Sequence, residues 1–120
     1  MKASILTIGK EILIGSILNT NSKYISKKLT DMGIDVIRQV SVDDGLDEIV
    51  EELNYISKLS DLIVVCGGLG PTEDDLTRDA VAKFLNRRVY LDEDEKRKLE
   101  VRFNRFGRTM TPNNLKQVML

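Results

Sequence analysis

Three short apolar runs, separated by stretches of helix length, limit what this chain can fold into more than any other feature. Ala3–Ile8, Asp35–Val42 and Leu62–Cys66 are rich in branched side chains, and each reads as a strand. Between the first two, Ile25, Leu29 and Met32 recur at helical intervals, with Gly33 to stop the helix and Asn19, Thr20, Asn21 and Ser22 to begin it. Between the second and third, Ile49, Leu53 and Ile56 repeat the pattern. Ala80, Val81, Phe84 and Leu85 mark a third helix, and Arg88–Leu91 a brief strand. Leu99, Phe103 and Phe106 mark a fourth helix stopped by Gly107, and Thr111 before Pro112 suits the N-cap of a last one. Strands joined through helices run parallel and need cover on both faces. The expected fold is therefore α/β, a three-layer α/β/α arrangement with a mainly parallel sheet, in one domain over residues 1–120.

Composition narrows the partners. Lys and Arg number 18 against 19 Asp and Glu, so no global positive field draws in a polyanion, and nucleic acid is not an expected partner. No apolar run nears the roughly 20 residues that span a bilayer, so no membrane partner is expected. Cys66 is the one cysteine and cannot form an internal disulfide. With no charged-then-apolar leader at the start, a cytoplasmic location is expected. Histidine is missing altogether, so proton transfer or metal binding falls to carboxylates, hydroxyls, lysines, backbone or the substrate.

The stretch VVCGGLGPTEDDLT, Val64 to Thr77, carries the strongest functional signal. In open parallel sheets ligands bind beyond the carboxyl ends of the strands, and this loop lies at such an end. Gly67, Gly68 and Gly70, with Thr72, let backbone amides approach a phosphate at the start of the next helix. The Walker lysine and the third glycine of a dinucleotide fingerprint are both missing. Glu73, Asp74 and Asp75 repel one another, and magnesium, which bridges carboxylates to substrate phosphates, suits such a cluster. Asp74 and Asp75 are the candidate metal ligands. The alternative is that either one caps the following helix, with help from Thr77.

Two further loops reach the same sheet edge. Asp43 and Asp44 follow the second strand, as ligand-facing acids or as a helix cap. Gly9, Glu11, Gly15, Asn19, Thr20 and Asn21 follow the first strand, with capping the simpler role for the asparagines. Arg108, Asn113 and Asn114 place polar groups after the fourth helix, near enough for a neighbouring site. Cys66 reads as a small core residue, and the Asp92–Arg105 charges as a solvated helix face.

Taken together, TIGKEILIGSILNTN, VSVDD, VCGGLGPTEDDLTRDAVAKFL and GRTMTPNNLKQ resemble the amino-terminal domain of the CinA, or competence/damage-inducible, family. That domain is similar to the molybdopterin-binding folds of molybdenum-cofactor biosynthesis. The resemblance implies a pocket at the strand ends and a homo-oligomer. In molybdopterin adenylyltransferases a GGTG loop and two aspartates serve the pterin and its nucleotide. The matching positions here are Gly67, Gly68, Leu69 and Gly70, with Asp43 and Asp75 as the acids, and Leu69 stands where those enzymes have threonine. Some CinA-family domains are linked instead to metal-dependent hydrolysis of ADP-ribose. The leading expectation from the resemblance is such a hydrolase, using magnesium or cobalt, with Asp75 and Asp43 catalytic. Gly67, Gly68, Gly70, Thr72, Glu11, Asn19, Asn21 and Asn114 would bind the phosphorylated substrate. The alternatives are a molybdopterin-binding or adenylyl-transferring domain and a non-catalytic nucleotide-binding domain. Relatives continue past the motif NNLKQVML, so a fold incomplete at its carboxyl end is expected, and no nicotinamide-mononucleotide deamidase domain falls within this sequence.

Overall fold

A computed structural model describes residues 1–15, 19–108 and 110–119, leaving aside the side chains of Glu11, Leu13, Asn113 and Gln117. Strands β1 (Lys2–Ile8), β2 (Asp35–Val42) and β3 (Leu62–Cys66) form a parallel sheet in the order β2-β1-β3. β1 is central. It pairs along its whole length with β2, and from Ala3 to Thr7 with β3. Every residue from Ala3 to Ile8 is buried. Period-two alternation sends Ala3 and Ile5 into one core cluster and Leu6 and Ile8 into the other.

Helix α1 (Lys10–Leu13) is a single turn after β1. Helix α2 (Thr20–Asp31) covers the first face through Ile25 and Leu29. Helices α3 (Leu46–Ser57) and α4 (Thr77–Leu85) cover the second through Ile49, Leu53, Ile56 and Ala80. The strand order accounts for this division. From β1 the chain steps outward to β2, then back past β1 to β3, and crossovers of one hand running in opposite directions land on opposite faces. The three layers expected from the sequence are thus present.

Several positions depart from the helical pattern. Met32 is 72% exposed because α2 ends there, and Ile34, after the turn at Gly33, packs in its stead. Leu85 and Phe106 stand exposed at the ends of their helices. The brief strand expected at Arg88–Leu91 reduces to one antiparallel bridge, Leu91 to Met119, because that segment meets the terminal turn and not the sheet. The last helix is a 3-10 helix, Pro112–Val118, following Thr111 as expected. Helix α5 (Glu93–Arg105) buries none of its residues, in keeping with a solvated charged face. It is held locally instead. Asp92 accepts from the Glu95 N–H at 3.0 Å, and acids in the first turn and arginines in the last match the helix dipole.

Because Ile49 is fully buried between sheet and α4, Ile49→Ala is expected to lower unfolding free energy by about 2–5 kcal/mol in urea denaturation. Met32→Ala should change it by less than about 0.5 kcal/mol.

Candidate functional site

The reversal of chain direction at β1 opens a crevice between the carboxyl ends of β1 and β3, since the loop after β1 leads to one face and the loop after β3 to the other. A cleft of about 320 Å³ occupies this position. Thr7, Ile8 and Cys66, from the strand ends, form its base, and Ile12 of α1 and Asn21 of α2 line one side. Gly67, Gly68, Thr72, Asp74 and Asp75 line the other, and Asp44 enters from the β2–α3 loop.

The glycines are required by close approach. Gly67 and Gly68 have φ of +94° and +69°, and a Cβ on Gly67 would lie 2.1 Å from the carbonyl oxygen of Ile8. One on Gly68 would lie 2.1 Å from Thr77 Oγ1. No side chain fits at either place. Thr77, buried at the start of α4, donates its hydroxyl to the Gly67 carbonyl at 2.6 Å, and its N–H to the Gly68 carbonyl at 3.1 Å. The loop and the first turn of α4 therefore form one hydrogen-bonded unit.

Asp75 does not cap α4, whose N-cap is Leu76. Its Oδ2 accepts from Thr72 N–H at 3.0 Å and Thr72 Oγ1 at 2.5 Å, closing the turn before the helix. Lys116 of the 3-10 helix donates to the Thr72 carbonyl from outside. The Thr72 hydroxyl bond, with further help from the Thr72 and Gly70 N–H groups and the Lys116 charge, holds the Asp75 carboxyl below the usual carboxylate range. Burial acts on Cys66 in the opposite sense and raises its thiol, so this cysteine is protonated at neutral pH and lacks the thiolate that a nucleophile needs.

Of the residues singled out in the sequence, Gly67, Gly68, Thr72, Asp74, Asp75 and Asn21 come together on the cleft. Gly70 stands behind Asp75 and supports it through its N–H. Asp43 turns back to accept the Asp44 N–H at 2.7 Å, and it is Asp44 that lines the cleft, with its Oδ2 3.4 Å from the Lys10 nitrogen. Asn19 is the N-cap of α2: its Oδ1 accepts from Ser22 N–H at 3.2 Å, and its Nδ2 donates to Thr7 Oγ1 at 3.0 Å. Asn114 accepts from the N–H and hydroxyl of Thr111 at the start of the 3-10 helix. The Glu11 side chain lies outside the described residues. Sequence reading missed Thr7 and Lys116. A hydroxyl one residue from the end of the central apolar strand was the available signal for Thr7, whereas Lys116 reaches the loop only through tertiary folding. Among the described residues, no three acidic or sulfur-bearing side chains converge on a metal-ion position. A divalent cation on Asp74 or Asp75 would take its remaining oxygen ligands from substrate and water.

The solved structure of the protein CinA from Thermoplasma acidophilum superposes with a TM-score of 0.89 at 38% identity, covering 99% of this chain and 69% of that one. A CinA-like protein of Pseudothermotoga lettingae is 49% identical over 118 residues, or 98% of this chain and 29% of that protein. A family model described as "Probable molybdopterin binding domain" matches residues 4–120. The chain belongs to this family, among its CinA-type members. The structure of the molybdopterin biosynthesis enzyme MoaB from Thermus thermophilus superposes on the CinA-type domain with a TM-score of 0.64 at 26% identity, over 74% of this chain and 57% of that one. The expected kinship with CinA and with molybdopterin-binding folds is borne out. This CinA-type chain thus spans about three tenths of the curated relative it matches.

Because the folded pKa of Asp75 is depressed, its bonds to Thr72 contribute stability above the ordinary aspartate pKa of about 3.9 and lose it as pH falls through the folded value. In a carbon-detected NMR titration, Asp75 is expected to titrate below about 3.9 in the wild type, and closer to that value in Thr72→Val. Gly67→Ala should destabilise the chain by more than about 2 kcal/mol in thermal unfolding, since backbone and not a flexible side chain blocks the new Cβ.

Proposed function

We propose that the cleft binds a phosphorylated heterocycle of the molybdopterin class, with the phosphate at the Gly67–Thr72 loop and the ring against the strand ends. The observation that carries this reading is the closed glycine turn, whose shape excludes side chains and which opens onto a cleft at the topological switch point. Such a turn brings backbone within reach of phosphate oxygens without needing a lysine. The family relation supports the same ligand class. The cleft's volume of about 320 Å³ lies at the small end of ligand sites, which suits one ring system with its phosphate better than an extended polymer.

Thr72 and Asp75 carry the supporting roles. The carboxylate fixes the Thr72 N–H and hydroxyl, and Lys116 supplies a positive charge behind the loop. Intact molybdopterin, prepared without air, should bind the purified chain stoichiometrically, and pyrophosphate should compete for the loop. Asp75→Asn should weaken binding by about 10-fold through loss of the ordered turn. A folded wild-type chain that binds neither compound would remove this assignment.

A second reading, hydrolysis of an ADP-ribose type pyrophosphate, is favoured by one specific feature. Asp44, Asp74 and Asp75 line the same cleft from two loops, and although the three do not converge on one cation position, a single one of them would share a cation with substrate phosphates. Incubation with ADP-ribose and magnesium or cobalt tests it. AMP release by the wild type and not by Asp75→Asn supports hydrolysis, and binding without release leaves the chain a binding domain.

A further inference from the structure

Thr7 is 2% exposed, yet it lines the base of the cleft beside Cys66, its partner across the β1–β3 pair. The neighbouring bonds dictate the direction of its hydroxyl. The Ser22 backbone N–H can only donate, so the Asn19 atom facing it at 3.2 Å is the amide oxygen. The Asn19 amide nitrogen is therefore the atom 3.0 Å from Thr7 Oγ1, and it can only donate. Thr7 must accept. Its own proton then has no acceptor among the bonds of the described residues, although the side chain is buried at a cleft wall. A buried donor left without a partner is costly, and an acceptor brought by a ligand would satisfy it.

We infer that Thr7 is a ligand-contacting residue that donates a hydrogen bond to a carbonyl or ring-nitrogen acceptor of the bound heterocycle, and that Asn19 is the positioning residue that imposes this donor sense. The inference rests on the ligand-binding reading of the cleft. The ring and not the phosphate meets Thr7, because a charged phosphate is costlier to desolvate and stays near the exposed Thr72, while the base is buried. The arrangement selects ligands by the pattern of acceptors on the ring. An analogue presenting a donor at this position would leave two donors facing each other.

Three variants of the full chain, titrated calorimetrically with intact molybdopterin and separately with pyrophosphate, test the assignment. Thr7→Val keeps shape and β-propensity but removes the hydroxyl; it should weaken molybdopterin about 10-fold and leave pyrophosphate unchanged. Thr7→Ser should restore binding to within about 2-fold of wild type. Asn19→Asp retains an equally good N-cap but replaces the donor with a carboxylate, which takes the Thr7 proton and turns the hydroxyl round. It should lose molybdopterin affinity about 10-fold beyond any change in pyrophosphate affinity, with an unchanged melting temperature. A folded Thr7→Val chain that binds molybdopterin as tightly as wild type overturns the inference. So does a proportional loss of both compounds, which would mean a disturbed loop. A wild type that binds pyrophosphate but not molybdopterin also overturns it, and one that binds neither removes the ligand reading of the cleft itself.

Discussion

Double pairing of β1 is the constraint on which everything else depends. This strand is hydrogen-bonded along both edges and covered on both faces, so its residues from Ala3 to Ile8 are buried, and only its carboxyl end, at Thr7 and Ile8, meets the cleft. Its two polar members find partners inside the protein, Ser4 in Ser60 and Thr7, as an acceptor only, in Asn19. A strand so placed leaves the rest of the fold little choice. Helices must occupy both faces, and the side chains of Ile5 and Leu6, adjacent in sequence, fall into separate clusters.

The site follows from the same strand. β1 is where the chain changes direction across the sheet, so the loops at its carboxyl end part company and leave a crevice. The β3 loop then passes so near β1 that only glycine is tolerated against the Ile8 carbonyl. Core packing and site geometry are thus two consequences of one strand position, and a change that shifted β1 would disturb both. The Thr77 hydroxyl extends the coupling by tying the glycine turn to the first turn of α4.

The glycine loop was legible in the sequence because three glycines after an apolar strand exceed what a simple turn requires. Asp75 was legible as a site residue, but its partner was not, since both capping and ligand roles place an acid there. The choice between Asp43 and Asp44 was not legible either. Consecutive residues leaving a strand project in different directions, and which one meets the cleft depends on how the β2 end sits beside β1. Lys116 lies 44 residues from Thr72 in the chain, and no local pattern connects them.

By itself, the sequence determined the layers. Strand and helix periodicities are local properties of side-chain spacing, and they specified parallel strands, helix faces and the loop where glycine is obligatory. The tertiary structure alone decided which strand is central, which of Asp43 and Asp44 lines the cleft and that the buried Thr7 hydroxyl at its base accepts from Asn19. Those outcomes depend on distances between segments far apart in the chain. Asn19 shows the difference: its sequence position marks a helix start, while its second bond, to Thr7, exists only because α2 lies across the end of β1.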